Sequence, residues 1–213
     1  GCLTTNITGE NVVQPTSHIM LRTMGYNDQV AYEWFAPAGF NRGLVNNATS
    51  VGYIDAEGEY VPEVLNQGQR DVLYTNKINP IAFMPGRGLT VWGQKTLHTI
   101  TSALDRVNVS RLIAFLRRRF DDMVQPFLFE PNDEFTRTQV LSVFNSFLAD
   151  MIVKRALYDF LAVCDSSNNT PARIDRNELW VDVAIQPVKA VEFIYIPIRV
   201  RNTGESLSIA GAA

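Results

Sequence analysis

Cys164 beside Asp165, with His98 far upstream, are residue types that could do chemistry. A cysteine, a histidine and a carboxylate would make a thiol-dependent hydrolase: the thiolate attacks, the imidazole takes the proton, and the carboxylate orients the ring. The competing reading is a buried cysteine at a strand end, since free cysteine packs as a small apolar residue. That reading is favoured here. His18 and His98 are the chain's two histidines, and neither sits in a HExxH or Cys/His arrangement. Gly86-Arg87-Gly88 lacks both the Gly-Lys-Ser/Thr that cradles phosphate and the third glycine of a dinucleotide fingerprint. Cys2 and Cys164 are too few for a disulfide framework and fit a reducing compartment. We therefore expect no catalytic residues, no metal and no cofactor.

Arg117-Arg118-Arg119 is the basic cluster. It could dock on an acidic partner or on nucleic acid. The plainer reading is the solvated back of a helix, partly balanced by Asp121 and Asp122. A net charge of −3 with 19% charged residues argues against a dedicated nucleic-acid binder. At 213 residues and 46% hydrophobic, the chain can build one sizeable domain or two small ones. No window is apolar for long enough to predict a transmembrane helix. No signal peptide is expected, and Gly1-Cys2 reads as the boundary of a fragment. Asn6, Asn47, Asn108 and Asn168 begin Asn-x-Ser/Thr triplets, read here as polar turns.

The elements that must position these residues differ between the two halves. Residues 1–60 have little periodicity apart from a short helix around Ile19, Met20 and Met24, begun by Ser17. Trp34 to Gly43 reads as a loop with buried aromatic anchors. A helix is expected over Pro62 to Ile78, with Val64, Leu65, Val72 and Leu73 as its stripe, stopped by Asn79-Pro80. Pro80 to Met84 and Leu89 to Trp92 read as strands about the turn Pro85-Gly86-Arg87-Gly88. Val107 to Val124 is an amphipathic helix, with Val109, Leu112, Ile113, Leu116, Phe120 and Met123 inward. Asp133 caps a second helix running to about Ala156, with Val140, Val143, Phe144, Phe147 and Ile152 inward.

Strands are expected over Tyr158 to Val163, over Leu179 to Ile185, and over Val191 to Arg201 with Ile194, Ile196, Ile198 and Val200 on one face. Between the first two lies a long polar loop of the kind that usually carries function: Cys164-Asp165-Ser166-Ser167-Asn168-Asn169-Thr170-Pro171. Pro197 cannot donate to a ladder, so the strand Phe193-Ile194-Tyr195-Ile196-Pro197-Ile198 belongs at a sheet edge. Beyond Arg201 the tail is small and polar, with Leu207 and Ile209 two apart as one face of a strand requires. It reads either as a frayed end or as a strand awaiting a neighbour's sheet edge.

Trp92-Gly93-Gln94-Lys95-Thr96, Asp105-Arg106-Val107-Asn108-Val109, Phe129-Glu130-Pro131-Asn132, the Cys164–Pro171 loop and Ile174-Asp175-Arg176-Asn177-Glu178 occur in this order. Together they resemble the carboxy-terminal part of the tail sheath protein of contractile-tailed bacteriophages. The resemblance is strongest from about Gly88 to Pro187. It implies an α+β fold with two long amphipathic helices packed on a small, mostly antiparallel sheet and an extended C-terminal arm. Residues 1–87 would be the rim of a preceding domain, 88–201 the inner-layer domain, and 202–213 the arm.

The implied function is a structural subunit that polymerises around a tail tube and contracts to drive it through the host envelope. The implied partners are neighbouring sheath subunits, the tail tube protein, and baseplate and tail terminator proteins, without direct nucleic acid or membrane insertion. The implied place is the virion tail, assembled in the host cytoplasm. Sheaths of pyocin-like or secretion-type machines fit the same residues, and the thiol hydrolase is the alternative of another class.

Overall fold

Alternation in Cys2-Leu3-Thr4-Thr5 turns Cys2 and Thr4 inward, which makes β1 (Cys2–Thr5) the inner strand of a sheet. β2 (Asn11–Gln14) returns beside it through a turn in which Asn6 Oδ1 accepts from the Thr8 and Glu10 amides, both at 2.9 Å. β3 (Ser50–Ile54) and β4 (Tyr60–Pro62) complete the antiparallel order β2-β1-β3-β4. A Cβ on Gly52 would lie 2.1 Å from the Val61 carbonyl, so glycine is required where β3 meets β4. The computed structural model describes residues 1–100 and 102–196.

The amino-terminal half is more regular than its composition predicts. α1 (Thr16–Val30) is a 15-residue helix, not a short one, and it follows Pro15 rather than being capped by Ser17. Its Ile19 packs with Cys2, Val45, Ile81, Leu89 and Val91. α2 spans Gln67–Thr75, shorter than the expected Pro62–Ile78. Asn66 sets its start through a reciprocal capping box with Gln69. The anticipated stripe is not core, since Val64 and Val72 are both exposed. β5 (Ile81–Met84) and β6 (Gly88–Val91) form the expected hairpin. Arg87 and Gly88, between which a division is expected, lie at the end of its turn and the start of β6.

α3 (Val107–Val124) buries Val109, Leu112 and Leu116. A 3-10 turn over Gln125–Phe127 ends it at Pro126. α4 (Glu134–Val153) starts at Asp133, whose carboxylate accepts from the Thr136 amide at 2.8 Å. Val140, Phe144, Leu148 and Met151 are its buried apolar row, whereas Val143 and Ile152, expected inward, are exposed. The inward row steps by four, four and three residues. Val143 and Ile152 lie off that row. Apolar residues therefore run round α4, and only α3 has the expected amphipathic pattern.

β7 (Leu157–Val163) and β8 (Asp182–Pro187) pair antiparallel, with an irregularity between Leu157 and Asp159. Their inner faces close on α4 through Phe160, Ala162, Val183 and Ile185. The architecture is α+β, with separate antiparallel sheets rather than one small sheet under the helices. Trp34 joins the halves: its ring packs with Leu112, Leu116, Leu148 and Met151, and its Nε1 donates to the Lys154 carbonyl at 3.1 Å. Phe40, in the same expected anchor loop, is instead exposed.

The strand expected over Val191–Arg201 is not formed within residues 191–196, which pair with no other strand among the described residues. A strand without a paired neighbour lacks partners for its backbone groups, which leaves this segment outside any ladder among the described residues. Pro197, Ile198, Val200 and the arm residues Leu207 and Ile209 lie outside the described residues.

Candidate assembly surface and chain exit

The Cys164–Pro171 loop is built around two asparagines. Asn168 Nδ2 donates to the Val163 carbonyl (2.8 Å), the Trp180 carbonyl (3.2 Å) and Asp182 Oδ2 (2.8 Å). Its Oδ1 accepts from the Asp165 amide at 3.0 Å. Asn169 is 2% exposed and pairs with both backbone groups of Trp180: Nδ2 donates to its carbonyl (3.0 Å) and Oδ1 accepts from its amide (2.7 Å). These bonds tie the end of β7 to the start of β8 where no ladder can reach. The short helix α5 (Pro171–Ile174) follows, and Arg173 lays its guanidinium over the Trp180 ring at 3.9 Å and donates to the Asn168 carbonyl.

Asp165 caps its own turn by accepting from Ser167 Oγ (2.5 Å) and the Ser167 amide (2.8 Å). Those bonds hold its carboxyl below the usual range. Cys164 is buried with Val140 and Phe144. Burial pushes its thiol up, which disfavours the thiolate a nucleophile needs. His98 turns its Nδ1 to the Ile100 carbonyl at 2.9 Å. The loop's polar atoms face one another, as in a structural staple.

Glu178 belongs to the same surface. Arg176 grips it through Nε (2.9 Å) and Nη2 (3.0 Å), and Trp180 Nε1 donates to it at 3.0 Å. The Arg176 contact is the larger cause that holds the Glu178 carboxyl down at about 2. Asn132, from the Phe129-Glu130-Pro131-Asn132 motif, donates to the Glu178 carbonyl at 2.9 Å, and Arg137 Nη1 donates to Asn132 Oδ1 at 3.0 Å. Two motifs far apart in sequence thus meet at one corner.

Arg117, Arg118 and Arg119 lie on the exposed side of α3. Arg118 pairs with Glu33 at 2.9 Å, and Arg119 stands 3.9 Å from Asp122. Nearby, Arg111 pairs with Asp28 at 2.5 Å. Acidic residues of α1 and the following loop therefore offset part of the cluster, while Arg117 makes no ion pair among the described residues. No group of three or more acidic, histidine or cysteine residues there could hold a metal ion, and no helix there is long and apolar enough to cross a membrane.

A feature invisible in the motif pattern lies where the chain leaves the domain. The Val188 amide donates to the Ala156 carbonyl at 3.0 Å, continuing the β7–β8 pairing by one bond. Asn108, read above as a polar turn, sits buried in the first turn of α3 and donates to the Val188 carbonyl at 3.3 Å. Glu192 then accepts from Arg106 Nε (2.7 Å) and Nη2 (3.1 Å), Gln94 Nε2 (3.2 Å) and the Tyr74 hydroxyl (2.9 Å). Burial, ahead of the Glu192 contact, drives the Tyr74 hydroxyl well above its ordinary range. Directly after this hub, Phe193, Ile194, Tyr195 and Ile196 are exposed by 67–87%. An open groove of ≈ 650 Å³ lies alongside, lined by Trp34, Tyr74, Trp92 and residues 188–194. Sequence reasoning found Gln94 and Arg106 as motif members but had no signal for their shared partner.

Comparison with known proteins follows the same residues. A family model described as the phage tail sheath C-terminal domain matches residues 99–201. The tail sheath protein of Vibrio phage KVP40 is 38% identical over 169 residues, 79% of this chain and 24% of that protein. The tail sheath protein of Enterobacteria phage T4 is 33% identical over 177 residues, 83% of this chain and 25% of that protein. The chain thus spans about a quarter of the length of these curated relatives. Among solved structures, the helical sheath of the anti-feeding prophage in its contracted state has a TM-score of 0.77 at 21% identity, covering 93% of this chain and 53% of that one. The contracted sheath complex of an extracellular contractile injection system, PVC, has a TM-score of 0.75 at 22% identity, covering 93% of this chain and 54% of that one. Both likenesses are of fold.

Proposed function

Because this chain is a relative of phage tail sheath proteins, with residues 99–201 matching their C-terminal domain, we propose that it is the carboxy-terminal part of a contractile tail sheath subunit. In this reading the subunit polymerises around a tail tube and, on contraction, drives the tube through the host envelope. The role is structural. Its partners are neighbouring subunits, the tube, and the baseplate and terminator proteins at the ends, and its place is the virion tail after assembly in the host cytoplasm.

The observation that carries the reading is the run Phe193-Ile194-Tyr195-Ile196, apolar, exposed and unpaired among the described residues. Exposed apolar segments with free backbone groups suit strand addition to another subunit. The arm from Asn202 onward, including Leu207 and Ile209, would continue that segment to a neighbour. Phe193 to Ile198 would be the edge strand.

Arg117, Arg118 and Arg119 offer the tube-facing surface in this reading, as an exposed basic row can steer a subunit onto an acidic cylinder. A double variant, Arg117→Glu with Arg118→Glu, in a full-length subunit should fold normally yet co-assemble poorly with tubes, most visibly at low salt. Undiminished co-assembly on tubes would remove these residues from the tube interface.

A further inference from the structure

Glu192 stands between an anchored stretch of chain and an exposed one. Its two carboxylate oxygens take donors from three places: Tyr74 on α2, Gln94 after β6, and Arg106 at the N-cap of α3. The Arg106 and Glu192 side chains are 27% and 17% exposed, so water competes only partly for the pair. Val188 is held on both its amide and its carbonyl. Past Glu192, the apolar residues Phe193 to Ile196 are largely exposed, with Phe193 and Ile194 along the rim of an aromatic-lined groove.

We propose that Glu192 is a positioning residue, a clamp that fixes where and in which direction the carboxy-terminal segment leaves the domain. The inference rests on the reading of that segment as an element shared with a second copy of the chain. An apolar contact is non-directional, whereas a guanidinium fork closed on a carboxylate defines both distance and angle. With the clamp closed, Phe193 to Ile196 are presented outward. With it open, nothing fixes the direction of the segment, and Phe193 and Ile194, which border the groove beside Trp92, are free to close over it within one subunit.

The clamp also sets a path for force. Tension on the segment, arriving at Val188 without it, would fall on the one bond to Ala156 that continues the β7–β8 pairing and the one bond from Asn108. Glu192 passes that tension to Arg106, directly before α3, whose Leu112 and Leu116 are locked in the core. Subunits joined by such segments can then be displaced without unravelling the β7–β8 sheet.

Backbone relaxation of the full chain tests the clamp. It would compare the wild type, Glu192→Gln, Arg106→Glu, and the exchanged pair Arg106→Glu with Glu192→Arg. In the wild type, residues 189–192 should show order parameters near those of rigid backbone, roughly 0.85, falling below about 0.6 in both single variants. Order should return in the exchanged pair, while α4 stays rigid in every variant. Unchanged order parameters in both single variants would overturn the clamp. So would a loss of order spread equally through α4, because the pair would then serve general stability. Sleeve formation by the corresponding full-length variants separates this inference from the reading it rests on. Sleeves lost on deleting the segment, with residues 189–192 rigid in Glu192→Gln, would overturn the clamp alone. Released 189–192 with sleeves undiminished would overturn the role in presentation.

Discussion

Arg106 and Glu192, 86 residues apart in sequence, meet in a bidentate ion pair of 2.7 and 3.1 Å. Arg106 is the residue before α3, and Glu192 is the last anchored residue before the exposed apolar run. The pair therefore couples the helical core to the start of that exposed run. Asn108, in the first turn of the same helix, reinforces it by holding Val188.

The contact between α3 and α4 is tested by Phe144. Its ring lies 5.0 Å from that of Phe120, and the residue is 3% exposed. Phe144→Ala should destabilise the chain by roughly 3–5 kcal/mol, as truncation of a buried aromatic does. Val143→Ala, one position away on the exposed side, should stay within about 0.5 kcal/mol. Urea unfolding distinguishes the two, and equal costs would show that the inward row is misplaced.

Asn169 should matter as a backbone partner. Asn169→Ala leaves the amide of Trp180 without its side-chain partner at the β8 entrance, while the carbonyl keeps Asn168 Nδ2, at a cost of about 1–3 kcal/mol for the group left unpaired. A shift of the urea midpoint without change in its slope is the expected outcome. No shift would mean that water replaces the side chain freely.

Cys164 should behave as a packed side chain. With its thiol pushed up by burial, reaction with a thiol reagent at neutral pH should be slow in the native state and rapid in denaturant. Fast, selective labelling of native Cys164 would revive the nucleophile reading.

Glu178 has a pH signature. Its folded carboxyl sits at about 2 against an ordinary 4.5, so the Arg176 contact contributes fully above 4.5 and is lost as pH falls through the folded value. A carboxyl-carbon titration should find the midpoint near 2, and Arg176→Ala should move it up toward 4.5. A wild-type midpoint already at 4.5 would show that the fork is open in solution.

Periodicity made the long helices and the β5–β6 hairpin legible, because apolar spacing and the Asp133 and Pro126 punctuation agree with the tertiary packing. Periodicity failed for residues 1–62, where strands of three to five residues are too short for a pattern to stand out, β2, β3 and β4 do not alternate, and all depend on one another for burial. It also misplaced Val143 and Ile152, since an α4 rich in apolar residues all round gives no single stripe. The Cys164–Pro171 loop was visible as a motif, yet its role as a staple depends on Trp180 and Asp182, which no local pattern links to Asn168 and Asn169. The Glu192 hub was invisible for the same reason: its donors come from residues 74, 94 and 106.

The central claim is that this domain works by lending its carboxy-terminal segment to neighbouring subunits. Electron microscopy of a full-length subunit carrying this chain, with and without the residues from Asn202 onward, addresses it most directly. The account predicts sleeve-like polymers from the intact protein and only folded, unpolymerised subunits from the truncated one. Ordinary sleeves from the truncated protein would contradict it.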